Sequence, residues 1–186
     1  MDKQKEILTA ALKLFVANGF HGTPTSKIAK EAGVANGTLF HYYPTKDDLI
    51  VSLYISIKLR MATAVESQIA SNADYKTKFK SQFIHALHWA MEHQNEFQYV
   101  QQFYASPYQV LLKSEALQQI MEKNCIEIQQ AIDAKVIKDL PVDYIFTMIG
   151  SHLNGIHQYL RNANLSNAQQ KETIARTFNL LWDMLT

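Results

Sequence analysis

Apolar residues recur three and four positions apart along almost the whole chain, and this spacing leaves few folds open other than a bundle of helices. In residues 3 to 18, Ile7, Ala11, Leu14 and Phe15, with Leu8 and Leu12 beside them, form one stripe that has to be buried. Gly19 stops that helix. Thr25 stands where an N-cap belongs, and Ile28, Ala29 and Ala32 give a second, very short apolar face before Gly33. A third short helix is expected over about Asn36 to Tyr42, and Pro44 ends it, because proline disfavours the α conformation at Tyr43. Thr45 can then cap a long fourth helix whose first turn carries Asp47 and Asp48, the sign favoured by the positive end of the helix dipole.

Further helices are expected over about 75 to 93, 95 to 105, 115 to 135, 142 to 162 and 167 to 185, punctuated by Pro107 and Pro141. The segments SNAD (71 to 74) and NANLSNAQ (162 to 169) read as connectors with cap residues. Only six glycines and four prolines occur, and strict apolar alternation is hard to find, which argues against a sheet. The expected fold class is therefore all-α. Three compact N-terminal helices (1–46) are followed by a larger helical body (47–186), joined by a continuous helix near residue 46.

With 186 residues, 47% of them apolar, the chain can bury a sizeable core. No apolar run approaches the roughly 20 residues that cross a bilayer. Residues 1 to 18 mix charge throughout, unlike a signal peptide, so a cytoplasmic protein is expected. Cys125 is the single cysteine and excludes an internal disulfide, a Cys-based zinc site or a redox pair. A net charge of +1 announces no polyanion partner in bulk, so any such site has to be local.

One stretch supplies a local site. From Thr25 to Tyr43 the pattern is helix, Gly-containing turn, helix, the arrangement of a helix-turn-helix unit. A seven-residue second helix persists only by packing on its neighbours, which leaves its outer face for other work. Leu39 points inward with Val34, while Asn36, Gly37, Thr38, Phe40, His41, Tyr42 and Tyr43 surround it, far more ring surface than a solvated helix needs. A major groove accepts one helix, and Asn36, Thr38 and His41 carry donors and acceptors suited to base edges and phosphates. Gly37 removes a side chain where backbone has to come close, and helix N-termini near Thr25 and Lys46 offer N–H groups to phosphate oxygens.

The string T-x-x-I-A-x-x-A-G-V-x-x-G-T-L, then an aromatic block and K-x-x-L, resembles the DNA-binding signature of TetR-family transcriptional repressors. It is met by Thr25, Ile28, Ala29, Ala32, Gly33, Val34, Gly37, Thr38, Leu39, Lys46 and Leu49. The resemblance covers roughly residues 5 to 50. It implies DNA contacts at Thr25, Lys27, Ala35, Asn36, Gly37, Thr38, Phe40, His41, Tyr42, Tyr43 and Lys46. Phe40 stands where that family usually has Tyr, Tyr43 where it usually has Phe, and Ala35 where Ser is common. Two readings of Asn36 follow: it caps the recognition helix, or it reads a base. Residues 1 to 50 hold six lysines against five acids, a modest balance for a DNA-binding module.

Rings are dense between Lys78 and Gln109, which fits either a packed core or an apolar pocket with a few polar handles. The resemblance implies the pocket, with candidate lining residues Phe83, Leu87, Trp89, Phe103, Tyr104, Tyr108, Met121, Cys125 and His152. His85 and His88 lie three apart, but no carboxylate completes a ligand set, so neither metal nor cofactor is expected. No G-x-S-x-G elbow, phosphate loop or assignable carboxylate pair occurs, and no enzyme activity is expected.

In the last two helices Ile145, Ile149, Leu153, Ile156 and Leu160, then Ile174, Phe178, Leu181, Trp182 and Leu185, form apolar faces, with Gly150 and Gly155 permitting close approach. These helices could simply close the monomer core. The resemblance implies that they form a homodimer, whose two recognition helices meet a palindromic operator and are released by a small, largely apolar effector. The competing reading is a helical ligand-binding or enzymatic protein that keeps the fold without reading DNA.

Overall fold

The computed structural model describes residues 2–67 and 73–186. Its helices are α1 (Lys3–Asn18), α2 (Thr25–Glu31), α3 (Asn36–Tyr42), α4 (Lys46–Glu66), α5 (Tyr75–Glu92), α6 (Gln94–Tyr104), α7 (Glu115–Asp133), α8 (Val142–Asn162) and α9 (Asn167–Leu185), with a 3-10 turn at Pro107–Leu111 between α6 and α7. No strand occurs among the described residues, so the fold is all-α as the periodicity requires. Ser71 and Asn72 of the expected 71-to-74 connector lie outside the described residues. Asp74 does act as a cap, its carboxylate accepting from the Thr77 N–H and hydroxyl.

Two compact units form. The first is Met1–Arg60 with His93–Ser114, and the second is Met61–Glu92 with Glu115–Thr186. The packing therefore does not divide at residue 46. Residues 93–114 return to complete the N-terminal unit, because α6 fills its core: Tyr99 and Phe103 are fully buried there. Tyr99 packs edge-on against Phe20 at 5.5 Å, and its hydroxyl donates to the Ile50 carbonyl oxygen at 2.8 Å. Phe103 stacks on Tyr54 at 3.9 Å, and Phe15 meets Phe20 at 5.3 Å. Burial and the Tyr99 hydrogen bond act together here, since a buried phenol needs a partner to offset its lost water.

In the second unit Phe83 and Leu87 of α5, Ile128 and Ala131 of α7, Ile145 and Leu160 of α8, and Ile174, Phe178, Leu181, Trp182 and Leu185 of α9 make one core. Gln82 donates to Glu127 at 2.7 Å, tying α5 to α7. Ser166 and Gln169 close the N-terminus of α9 as a reciprocal capping box, as the connector residues suggested. At its other end Lys138 donates to the Leu185 and Met184 carbonyl oxygens, two of the acceptors that the last turn leaves open. Among the described residues no helix is long and apolar enough to cross a membrane.

His157 of α8 is buried in this unit. Burial and then the Arg161 charge push its imidazole below the ordinary histidine range, while a hydrogen bond to the Ala90 backbone carbonyl works the other way. The folded state thus prefers the neutral ring, and the unfolded chain takes up the proton first as pH falls. Stability is expected to be full above about pH 6.5 and to decline on acidification below it. Thermal melts between pH 7.5 and about pH 5 should show this decline, and His157→Gln should flatten it.

Candidate nucleic-acid interface

The second short helix starts differently from the expectation. Pro24 occupies the N-cap and Thr25 is the first helical residue, with no side-chain cap. Proline fixes φ near the value found here, −66°, so it enters the helix without needing a capping hydroxyl. At the other end α2 closes through Gly33, whose φ is +65°. The Gly33 N–H donates to the Lys30 carbonyl oxygen at 3.2 Å and the Val34 N–H to that of Ala29 at 3.0 Å, the pair of bonds of a Schellman motif. This turn sets the angle at which α3 departs.

Seven residues cannot hold a helix in water, so α3 depends on Leu39, which is fully buried. Ala35 is its N-cap, without a side-chain bond, and Asn36 is its first helical residue. The choice left open by the sequence is thereby narrowed: Asn36 does not cap α3, and its exposed amide points away from intrachain work. After Pro44, Thr45 and Asp48 form a reciprocal cap on α4. The Asp48 N–H donates to Thr45 Oγ1 at 3.0 Å, and Asp48 Oδ2 accepts from the Thr45 N–H at 3.0 Å and from its hydroxyl at 2.7 Å. The chain is therefore fixed on both sides of α3.

At about 100° per residue, Gly37 and His41 lie opposite buried Leu39. Asn36 and Phe40, four apart, form one flank of that outward line, and half-buried Thr38 lies on the other. Phe40 and Tyr42 are 43% and 40% exposed, large fractions for rings on a structured helix. Tyr42 sits edge-on to His41 at 5.5 Å. A Cβ built on Gly37 would meet nothing within 4 Å, so the missing side chain serves no packing need inside the chain. Lys27 and Ala35 are exposed, while Thr25 and Lys46 are half-buried at the starts of α2 and α4.

Tyr43 departs from the expected set. It is only 3% exposed and belongs to the core, as the phenylalanine usual at this position would. The residue before a proline is held extended, with φ −134° and ψ 94° here, and this turns the ring inward rather than along the outer face. Its hydroxyl has no partner in hydrogen-bonding geometry, although the Gln4 side chain lies near enough to ease a charge there. Burial pushes the phenol above its ordinary range.

The nine residues expected to line a pocket do not collect in one unit. Phe103, Tyr104 and Tyr108 belong to the N-terminal unit, where Phe103 is core, Tyr108 packs against Phe20 at 5.3 Å and Tyr104 is 50% exposed. The other six lie in the second unit. There Phe83 and Leu87 are core, Trp89 is buried, Cys125 is half-buried and Met121 is exposed. His152, half-buried, sits 3.1 Å from the Thr177 carbonyl oxygen with its ring beside Phe83. Aromatic density in the sequence mostly marked packing, divided between two cores. Among the described residues no cluster of three metal-ligating side chains forms.

These placements make three stability predictions, all measurable by thermal or urea unfolding. Gly33→Ala should cost about 1–2 kcal/mol, because alanine is strained at positive φ. Gly37→Ala should cost nothing and can gain up to about 1 kcal/mol from helix propensity. Tyr43→Phe should stabilise by about 1 kcal/mol, since it removes an unpaired buried hydroxyl while keeping the ring.

Residues 7–53, which hold most of α1, all of α2 and α3 and the start of α4, match the family model described as bacterial regulatory proteins, tetR family. The chain is 37% identical over 76 residues to the fatty acid metabolism regulator protein of Bacillus subtilis, 41% of this chain and 39% of that one. It is 45% identical over 51 residues to the HTH-type transcriptional regulator RutR of Escherichia coli, 27% of this chain and 24% of that one. These matches thus span about two fifths or less of the length of either curated relative. The crystal structure of a putative tetR family transcription regulator from Shewanella sp. PV-4 superposes with a TM-score of 0.90 at 30% identity, covering 100% of this chain and 98% of that one. With the helix-turn-helix geometry in place and a relative alike over its whole length, the chain belongs to the TetR family of transcriptional regulators.

Proposed function

We propose that this regulator is a homodimeric repressor that binds a pseudo-palindromic operator and is released by a small, largely apolar effector. One observation carries the DNA-reading half: the outward face of α3 presents Asn36, Gly37, Phe40 and His41 exposed, and a side chain at Gly37 would meet nothing inside the chain. In this reading Asn36, Thr38, Phe40 and His41 meet base edges. Thr25, Lys27, Ala35, Tyr42 and Lys46 meet the backbone, and Gly37 lets the helix approach. The contact surface lies within residues 1–46, and effector binding and dimerisation within 47–186.

The dimer is supported by the outer sides of α8 and α9. Their inner faces fill the core, yet Tyr144, Phe146 and Tyr159 of α8 and Leu180 and Met184 of α9 remain exposed. A Cβ on Gly150 or Gly155 would meet nothing within 4 Å, which leaves room at both for a close approach by a second copy. A two-fold pair places two recognition helices on successive major grooves, about 34–36 Å apart. For the effector, residues such as Trp89, Met121, Cys125 and His152 are the candidates in the second unit. The Bacillus subtilis relative is named for fatty acid metabolism, and this makes a ligand with a long apolar part the first to test. Release requires the effector to bind the DNA-incompetent state more tightly, by about 1–3 kcal/mol of coupling.

Fluorescence anisotropy on the DNA flanking the chain's own gene tests the reading. Specific binding should fall steeply with salt, and binding no tighter than to random duplex would reject it. Lys46→Ala should weaken binding to all sequences alike and reduce the salt slope by about 1. Gly37→Ala should lose affinity while keeping its stability, a combination that a purely structural glycine cannot give. Leu180→Asp should yield a monomer by sedimentation and lose operator affinity with it. A ligand of this class, fatty acids first, should raise the melting temperature and lower operator affinity.

A further inference from the structure

Phe40 has an unusual position for a phenylalanine. It is 43% exposed on the structured outer flank of α3, with no ring partner among the described residues. Its side chain cannot donate or accept a hydrogen bond, so it cannot hold a phosphate or a polar base edge. One turn earlier on the same flank stands Asn36, whose amide is exposed and uncommitted to capping, and Gly37 beside them carries no side chain. The surface is therefore one amide and one bare aromatic ring side by side, with the backbone free to come close.

The major groove offers few groups to such a ring. Its base edges are donors and acceptors except for the C5-methyl group of thymine, and the side chain that pairs best with adenine is a bidentate amide. Resting on the operator-binding reading above, we propose that Phe40 is a specificity residue that packs on the methyl group of a thymine beside a base pair read by Asn36. Each half-site then contains an A·T-containing step recognised by shape and apolar contact at one position and by hydrogen bonds at the next.

The test removes the methyl group from the DNA and leaves the protein intact. A duplex selected by the wild-type protein from a randomised library is resynthesised with each thymine replaced, one at a time, by deoxyuridine, which pairs identically. One thymine per half-site should cost the wild type about fourfold in affinity, the value of one buried methyl-sized group. Phe40→Ala should bind its own reference duplex more weakly and show no further loss at that position. The inference is overturned if no thymine is methyl-sensitive for the wild type, or if Phe40→Ala keeps the same sensitivity at the same place. A selection that enriches no sequence sinks the operator reading and this inference with it, whereas a successful selection without a methyl-sensitive position sinks this inference alone.

Discussion

A helix of seven residues has no stability of its own, and the arrangement of the N-terminal unit follows from that constraint. α3 survives because it is held at three points: the Gly33 turn before it, Leu39 beneath it, and the Pro44–Thr45 junction with its Asp48 cap after it. Each restraint uses a side of the helix or an end, and none uses the outward line through Gly37 and His41. Shortness is useful for the same reason. A helix too short to shield itself leaves most of its surface to whatever it meets, and the cost of ordering it is borne by its neighbours before any partner arrives.

That cost is met partly by a segment far along the chain. α6 enters the unit with Tyr99 and Phe103, and the Tyr99 hydroxyl reaches the Ile50 carbonyl of α4. Phe15 and Phe20 sit against the same ring, so α1, the loop after it, α4 and α6 share one aromatic core. The polar contacts along this side are weaker: the Arg60–Glu96 pair at 3.7 Å is partly exposed and contributes little beside the buried rings.

Helix positions were legible to within a residue or two because burial of one face imposes a repeat that survives in the sequence, and this chain has few helix breakers to blur it. The capping residues Asp74, Ser166 and Thr45 were legible because their chemistry is local. Three features were not. Thr25 looks like a cap by composition, but Pro24 takes the position through backbone preference alone. Tyr43 looks like part of the outer aromatic block, whereas the extended conformation imposed before Pro44 turns it inward. The division of the ring-rich stretch between two cores depends on which helix each ring meets in space, and a one-dimensional pattern does not contain that information. Phe103 and Phe83 look alike in sequence yet pack on Tyr54 and on Phe178 respectively.

The discontinuity of the N-terminal unit has a consequence for how the protein is made. The residues that would touch DNA leave the ribosome early, but the core beneath them lacks Tyr99 and Phe103 until the segment ending at Ser114 has followed. During that interval Phe15 and Phe20 have only each other and Tyr54 has no ring to stack on, so the unit cannot complete its folding in the N-terminal-first order that contiguous domains follow. α5 is already synthesised by then, whereas its core partners in α7, α8 and α9 follow only afterwards. The two units are thereby interleaved in time as well as in sequence, and a fragment ending at Arg60 would be a reading helix without the scaffold that makes it one.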